Sequence, residues 1–193
     1  MTSPRLDLVV GCNGAGKSSL IHTFLLPRLP GSTYVNADDI ALQRWPDATE
    51  AKSYEAAQIA ARTREALIEA RVPFIAETVF SHPSKLDLIS RAHDHGFRVV
   101  LHVVMVPEEL AVLRVLTRTE SGGHSVPEKK VRERYQRVWP LAAQAVERVD
   151  RARVYDNSGA AMRLVAQFEA GIAMTADWPA WTPEAIRSLH PLD

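Results

Sequence analysis

The sequence predicts a three-layer α/β sandwich, with a mostly parallel five-stranded sheet covered by helices and a helical lid. Three observations lead there. Short apolar runs alternate with helical patterns along most of the chain, the arrangement that builds a parallel sheet. The first apolar run ends in a glycine-rich loop that opens directly into a helix. Residues 98–106 are apolar almost without interruption, as expected of a central strand buried on both faces.

The elements follow in order. Residues 6–10 (LDLVV) read as a buried strand ending at Gly11. Residues 18–29 have helical character and stop near Pro27 and Pro30. Residues 33–36 form a second strand that ends at Ala37-Asp38-Asp39. Residues 50–71 are helical, with Tyr54, Ala57, Ala61 and Ile68 on one face. A third strand over 72–76 delivers Glu77-Thr78 at its end.

Residues 83–95 form a helix closed by Gly96, a common residue after a helix C-terminus. The strong strand 98–106 comes next, then a helix over 108–118 and the glycine break Gly122-Gly123. Ser125-Val126-Pro127-Glu128 fits a capping box and opens a helix to about Asp150. A short strand over 153–155 ends at Asp156-Asn157-Ser158-Gly159, ahead of a final helix over 160–173. We expect a single domain over residues 1–193, with a lid at about 118–130. The tail, 174–193, packs back through Trp178 and Trp181.

The composition narrows the partners. Lys plus Arg and Asp plus Glu number 23 each, so no global field favours long nucleic acids or an anionic membrane. Anion binding must come from local geometry. The single Cys12 cannot form an intrachain disulfide, and no Cys/His cluster has zinc spacing. The longest apolar stretch is broken by His102 and is too short to span a bilayer. MTSPRLDLVV runs into a strand pattern without the layout of a signal peptide, which leads us to expect a cytoplasmic protein.

Gly11-Cys12-Asn13-Gly14-Ala15-Gly16-Lys17-Ser18 matches the P-loop pattern at every fixed position, with Ser19 following. Backbone N–H groups of such a loop turn inward, and the helix N-terminus adds a favourable dipole for phosphate. Lys17 is expected to bridge the β- and γ-phosphates, and the Ser18 hydroxyl to ligate Mg²⁺. Cys12 is either a small loop residue or a thiol activated by the helix N-terminus.

Several P-loop classes lack their signatures here. No apolar strand ends in Asp-Glu, although Ser121-Gly122-Gly123 superficially resembles an ABC signature loop, and no Asn-Lys-x-Asp motif reads a guanine base. The chain instead offers acidic groups at two strand ends and arginines late in the sequence, the layout of small-molecule kinases. Asp38 is either the base that accepts the acceptor's hydroxyl proton or a helix N-cap. Asp39 either joins the acceptor site or is a solvated first-turn residue. Glu77 reads as a ligand for the acceptor hydroxyl or a Mg²⁺-bound water, or as a contact to a nearby backbone N–H; Thr78 and Ser81 stand beside it. His82 reads as a turn residue.

Positive charge on the transferring phosphoryl group is sought on either side of the glycine break. Arg118 is the first candidate, Arg134 the second and Arg114 the spare. Lys130, Arg134 and Arg137 form one helical stripe, and Val131, Tyr135 and Val138 an adjacent apolar one. The stripe belongs either to a lid that closes on ATP or to a solvated basic face.

With these residues in view, the sequence resembles the zeta-toxin family of P-loop kinases, in particular its short branch known as predicted ABC-type ATPases. GCNGAGKSSL, YVNADDIA, FIAETVFSHPSK, GGHSVPEKKVRERYQR and VYDNSG carry the likeness, which covers most of residues 5–160. The resemblance implies a fold like that of nucleotide and shikimate-type kinases and ATP or GTP as donor. It implies Asp38 as general base, Lys17 as the phosphate lysine and Glu77-Thr78 in the acceptor-binding stretch. UDP-N-acetylglucosamine is the acceptor it suggests, and a small helical antitoxin the partner. The segment from Arg118 through Ser121-Gly122-Gly123-His124 departs from the longer toxins, so the resemblance assigns no lid arginine. Besides this kinase, the residues allow a kinase of a nucleotide, a dinucleotide cofactor or an RNA end, or a non-catalytic ATP-dependent binding module.

Overall fold

A computed structural model describes residues 3–120 and 126–189. Its sheet contains β1 (Arg5–Val10), β2 (Thr33–Val35), β3 (Phe74–Thr78), β4 (Arg98–Met105), β5 (Arg151–Asp156), β6 (Arg163–Glu169) and β7 (Ile172–Ala176). The spatial order is β2-β3-β1-β4-β5-β6-β7, with β1 to β5 mutually parallel and the last two pairings antiparallel. β4 is central, and all its residues after Arg98 are buried.

The helices are α1 (Lys17–Leu20), α2 (Ala37–Arg44), α3 (Ser53–Glu69), α4 (Ser84–Asp94), α5 (Glu108–Glu120), α6 (Glu128–Val146) and α7 (Glu184–Arg187). α1 continues through a π-turn over Ile21–Leu25 and a 3₁₀ turn over Leu26–Arg28. Apolar residues from both sheet faces and from α6 form one large core that includes Leu8, Phe74, Leu101, Trp139 and Phe168. The expected apolar stripe of α6 is correct: Val131, Tyr135 and Val138 are all buried.

Among the described residues the sheet has seven strands, where the sequence predicts five. Residues 163–176 form a β-hairpin in place of the expected helix over 160–173. Ala170 and Gly171 both have left-handed backbone (φ 48° and 79°), the conformation of a two-residue hairpin turn. The register shifts between Gln167 and Phe168 and between Val154 and Tyr155, which breaks the period-two alternation that marks a strand. β7 therefore takes in Met174–Ala176, and the tail begins at Asp177, three residues later than expected. Trp178 stacks on Phe168 and Ile186 is fully buried, so the tail does pack back on the domain.

The inward face of α3 also differs. Ala56, Ala60, Arg64 and Ile68 point inward, whereas Tyr54, Ala57 and Ala61 are exposed. Only Ile68 of the expected face is buried, because the stripe runs at i, i+4 through an arginine rather than through Ala57 and Ala61. Residues 121–125, which include Ser125 of the expected capping box, the glycine break, His124 and the middle of the expected lid, lie outside the described residues.

Candidate active site

β1 stops at Val10, and the chain loops through 11–16 before α1 begins at Lys17. Gly16 has left-handed backbone (φ 94°), and a Cβ there would lie 2.3 Å from the Asn157 amide nitrogen. Asn157 Nδ2 donates to the Ala15 carbonyl at 2.8 Å, bracing the loop from the far end of β5. Arg114 adds a second brace, donating to the carbonyls of Asn157 (3.0 Å) and Gly14 (3.4 Å). The guanidinium held in reserve for the γ-phosphate is thus engaged in holding the loop.

Lys17 is 8% exposed; its Nζ donates to the Cys12 carbonyl at 3.0 Å and lies 3.9 Å from Glu77 Oε1. Cys12 itself is fully buried, and burial pushes its thiol pKa up to about 12 against the pull of Lys17. The activated-thiol reading fails: desolvation outweighs the nearby positive charge.

The parallel register sets Val9 beside Glu77, so the β3 carboxylate reaches the loop at the carboxyl edge of the sheet. Ser18 Oγ donates to Glu77, 3.0 Å from Oε2 and 3.1 Å from Oε1. Tyr34 Oη donates to Oε2 at 2.6 Å, and Asn36 Nδ2 donates to the same oxygen at 3.2 Å. Burial, and then the Glu77 charge, hold the Tyr34 phenol well above its usual range, so it stays a donor. The backbone-N–H alternative for Glu77 is replaced by this side-chain cluster.

Asn36 is the N-cap of α2, with its Oδ1 accepting from the Asp38 N–H at 2.9 Å. Asp38 is therefore not the cap, and its side chain lines the cleft. Asp39 sits just off the lining, in the field of Glu77 and His22, and burial raises its pKa. His82 holds a local turn, paired with Ser84 at 2.8 Å.

These groups surround one cleft of about 1060 Å³. Asn13, Gly14, Gly16, Lys17, Ser18 and Ser19 of the phosphate loop line it together with Asp38, Glu77, Thr78 and Ser81. Arg118, Lys130 and Arg134 enter from α5 and α6, with Arg134 3.4 Å from Asn13 Oδ1. Of the expected residues, Gly11, Ala15 and Asp39 do not line it; Ala15 is fully buried beneath the loop. Arg137 is also outside, paired with Glu133 at 3.4 Å. The oxygens of Ser18 and Glu77 suit a hard cation that keeps waters and phosphates as its other ligands. Among the described residues no group of three or more His, Cys, Asp or Glu side chains could cage a metal ion.

Sequence reasoning assigned no role to Tyr34, Asn36, Asn157, Arg64 or Lys85, all of which contact or line this site. Asn36 carried a signal, being an Asx residue directly before a helix with two acids in its first turn. Arg64 carried another, as a charge in the inward stripe of an amphipathic helix.

A family model described as zeta toxin matches residues 1–164. The chain belongs to the zeta toxin family of P-loop kinases. An uncharacterized protein of Haemophilus influenzae is 29% identical over 126 residues, which is 65% of this chain and 88% of that one. The zeta-family fold recurs in the AvrRxo1-ORF1:ORF2 complex with ATP (TM-score 0.71, 17% identity, 90% of this chain and 60% of that one). It recurs too in the PezAT toxin–antitoxin system of Streptococcus pneumoniae (TM-score 0.62, 16% identity, 84% and 72%). The chain spans about three fifths of the length of the AvrRxo1-ORF1 chains it matches. Among the described residues, no helix is long and apolar enough to cross a membrane.

Proposed function

We propose that this protein transfers the γ-phosphate of ATP to a hydroxyl of a small molecule, with UDP-N-acetylglucosamine as the first acceptor to test. The observation that carries the proposal is that Asp38 and Glu77 line the same cleft as the phosphate loop, with Glu77 bonded to Ser18. The ATP bound in the AvrRxo1 complex, a protein of the same fold, supports ATP as donor.

In this reading the 13–19 segment cradles the phosphates and Lys17 turns from the Cys12 carbonyl to the β- and γ-phosphates. Asp38 accepts the proton as the acceptor oxygen bonds to the γ-phosphorus, while the bond from that phosphorus to the β–γ bridging oxygen breaks and ADP leaves. Ser18 and Glu77 hold Mg²⁺, which supplies charge neutralisation at the phosphates. Arg118 and Arg134 stabilise the equatorial oxygens of the transferring group. Thr78 and Ser81 offer hydroxyls to the acceptor. A helical antitoxin is the protein partner we propose, by analogy with the PezAT pair.

The test is ADP release from ATP·Mg with and without a panel of hydroxyl compounds led by UDP-N-acetylglucosamine. An acceptor-dependent rate, lost in Asp38→Ala while ATP affinity holds, is the expected result. Undiminished turnover in that variant would remove Asp38 from the chemistry.

A further inference from the structure

Tyr34 and Asn36 stand two residues apart at the end of β2, on one side of the extended chain, while Val35 between them turns to the other and is buried. Both are bonded to Glu77, and the direction of each bond follows from one backbone N–H. The Asp38 N–H donates to Asn36 Oδ1 at 2.9 Å, which fixes the amide with its nitrogen on the other side. That nitrogen donates to Tyr34 Oη at 2.9 Å and to Glu77 Oε2 at 3.2 Å. With its oxygen already accepting, the Tyr34 hydroxyl turns its single proton to Glu77 Oε2, 2.6 Å away. The His22 ring meets the Tyr34 ring edge-on, 5.5 Å between centroids, and limits its movement.

The two oxygens of Glu77 are therefore unequal. Each has room for about two donors, and Tyr34 and Asn36 fill Oε2. The Ser18 hydroxyl, with one proton, lies between the two oxygens. Among the described residues, Oε1 has besides it only the Lys17 ammonium at 3.9 Å. A glutamate side chain that is free until a cation arrives loses rotamer freedom on binding, and that loss weakens the site. Glu77 is fixed beforehand by its outer hydrogen bonds.

We infer that Tyr34 and Asn36 are positioning residues: they hold Glu77 by Oε2 and leave Oε1 beside Ser18, as the oxygen offered to Mg²⁺ or to a water on it. This rests on the kinase reading and adds two residues to it. The same chain of hydrogen bonds starts at the backbone of Asp38, so Asn36 and Tyr34 tie the segment that carries the proposed base to the carboxylate on the metal side.

The experiment measures by calorimetry the affinity for a non-hydrolysable ATP analogue, in excess Mg²⁺ and in EDTA, so that no acceptor is needed. In the parent, Mg²⁺ is expected to tighten binding. Tyr34→Phe keeps the ring against His22 and removes only the hydroxyl; we expect it to lose about tenfold of that tightening, with binding in EDTA unchanged. Asn36→Ser keeps an oxygen for the Asp38 N–H, removes the amide nitrogen and should lose a similar factor. Added to Glu77→Gln, Tyr34→Phe should change little more, because both act on one carboxylate. Equal weakening of Tyr34→Phe with and without Mg²⁺ would show a packing role, and full tightening in that variant would show none. Either result overturns the inference, as do losses that multiply with Glu77→Gln. A parent that binds the analogue but is indifferent to Mg²⁺ overturns it too, with nucleotide binding intact. A parent that does not bind the analogue at all overturns the kinase reading itself.

Discussion

The Ser18 hydroxyl lies within 3.1 Å of both carboxylate oxygens of Glu77, joining the start of α1 to the end of β3. The two are 59 positions apart in the chain, and the parallel register of β1 and β3 alone brings them together. We expect Glu77→Gln, which keeps the shape and removes the charge, to lower kcat by about two orders of magnitude. The Mg²⁺ concentration needed for half-maximal rate rises in the same variant. A magnesium titration of parent and variant checks this, and superimposable curves would take Glu77 out of the metal's surroundings.

Cys12 is expected to be inert in the folded protein. With its pKa pushed up to about 12 by burial, almost no thiolate exists near neutrality. Native protein at pH 8 should react with a thiol reagent about a thousandfold more slowly than the unfolded chain. Rapid labelling of native protein, prevented by ATP, would revive the activated-thiol reading.

A buried polar chain across β1, β4 and β5 sets an acid limit on stability. His102 Nε2 is 2.8 Å from Asp7 Oδ1, its Nδ1 is 3.2 Å from the Tyr155 hydroxyl, and Arg5 pairs with Asp7 at 2.6 Å. Burial depresses the His102 pKa, more than Asp7 raises it, and the nearby charges of Arg153 and Arg5 act in the same direction as burial. Above the ordinary imidazole value of about 6.5 the folded and unfolded states are both neutral there. Below it the unfolded chain takes up a proton that the folded one refuses, so stability falls as pH falls, by at most about 1.4 kcal/mol per pH unit. Burial would raise the Asp7 pKa, but His102 and Arg5 together lower it, so its own contribution is lost only below the usual carboxylate range. Melting temperatures from pH 7.5 to 5.5 should decline, and His102→Gln should flatten the decline. Parallel curves for the two proteins would contradict this assignment.

The hairpin turn can be improved. Ala170 occupies left-handed backbone that costs a Cβ-bearing residue about 1 kcal/mol, and asparagine tolerates it better. Ala170→Asn creates the Asn-Gly pair favoured in two-residue hairpins. A gain of about 0.5–1 kcal/mol, seen as a melting temperature a few degrees higher, is expected. A fall would mean that the turn is held by contacts outside itself.

The legible parts of the fold were those coded locally. Five strands were readable from apolar runs of the right length, and the phosphate loop from its glycines between a strand and a helix. The β6–β7 hairpin was not, because two register shifts erase its alternation and an Ala-Gly turn lacks the usual Asn or Asp. The inward face of α3 was missed for a related reason. An arginine in the buried stripe looks polar to any hydrophobicity pattern, and only the cleft that it faces accounts for it.

By itself the sequence determined the family, the parallel sheet and the identity of the groups at its carboxyl edge, Lys17, Ser18, Asp38 and Glu77, because each stands at the end of a locally coded element. The tertiary structure decided how those groups share their work. It gave Arg114 and Asn157 to bracing the loop, Asn36 to capping α2 ahead of Asp38, and Arg64 and Lys85 to the lining of the cleft. The physical reason is that a hydrogen-bond partner or a counter-charge is chosen by distance in space, and strand register sets that distance between residues that no local pattern connects.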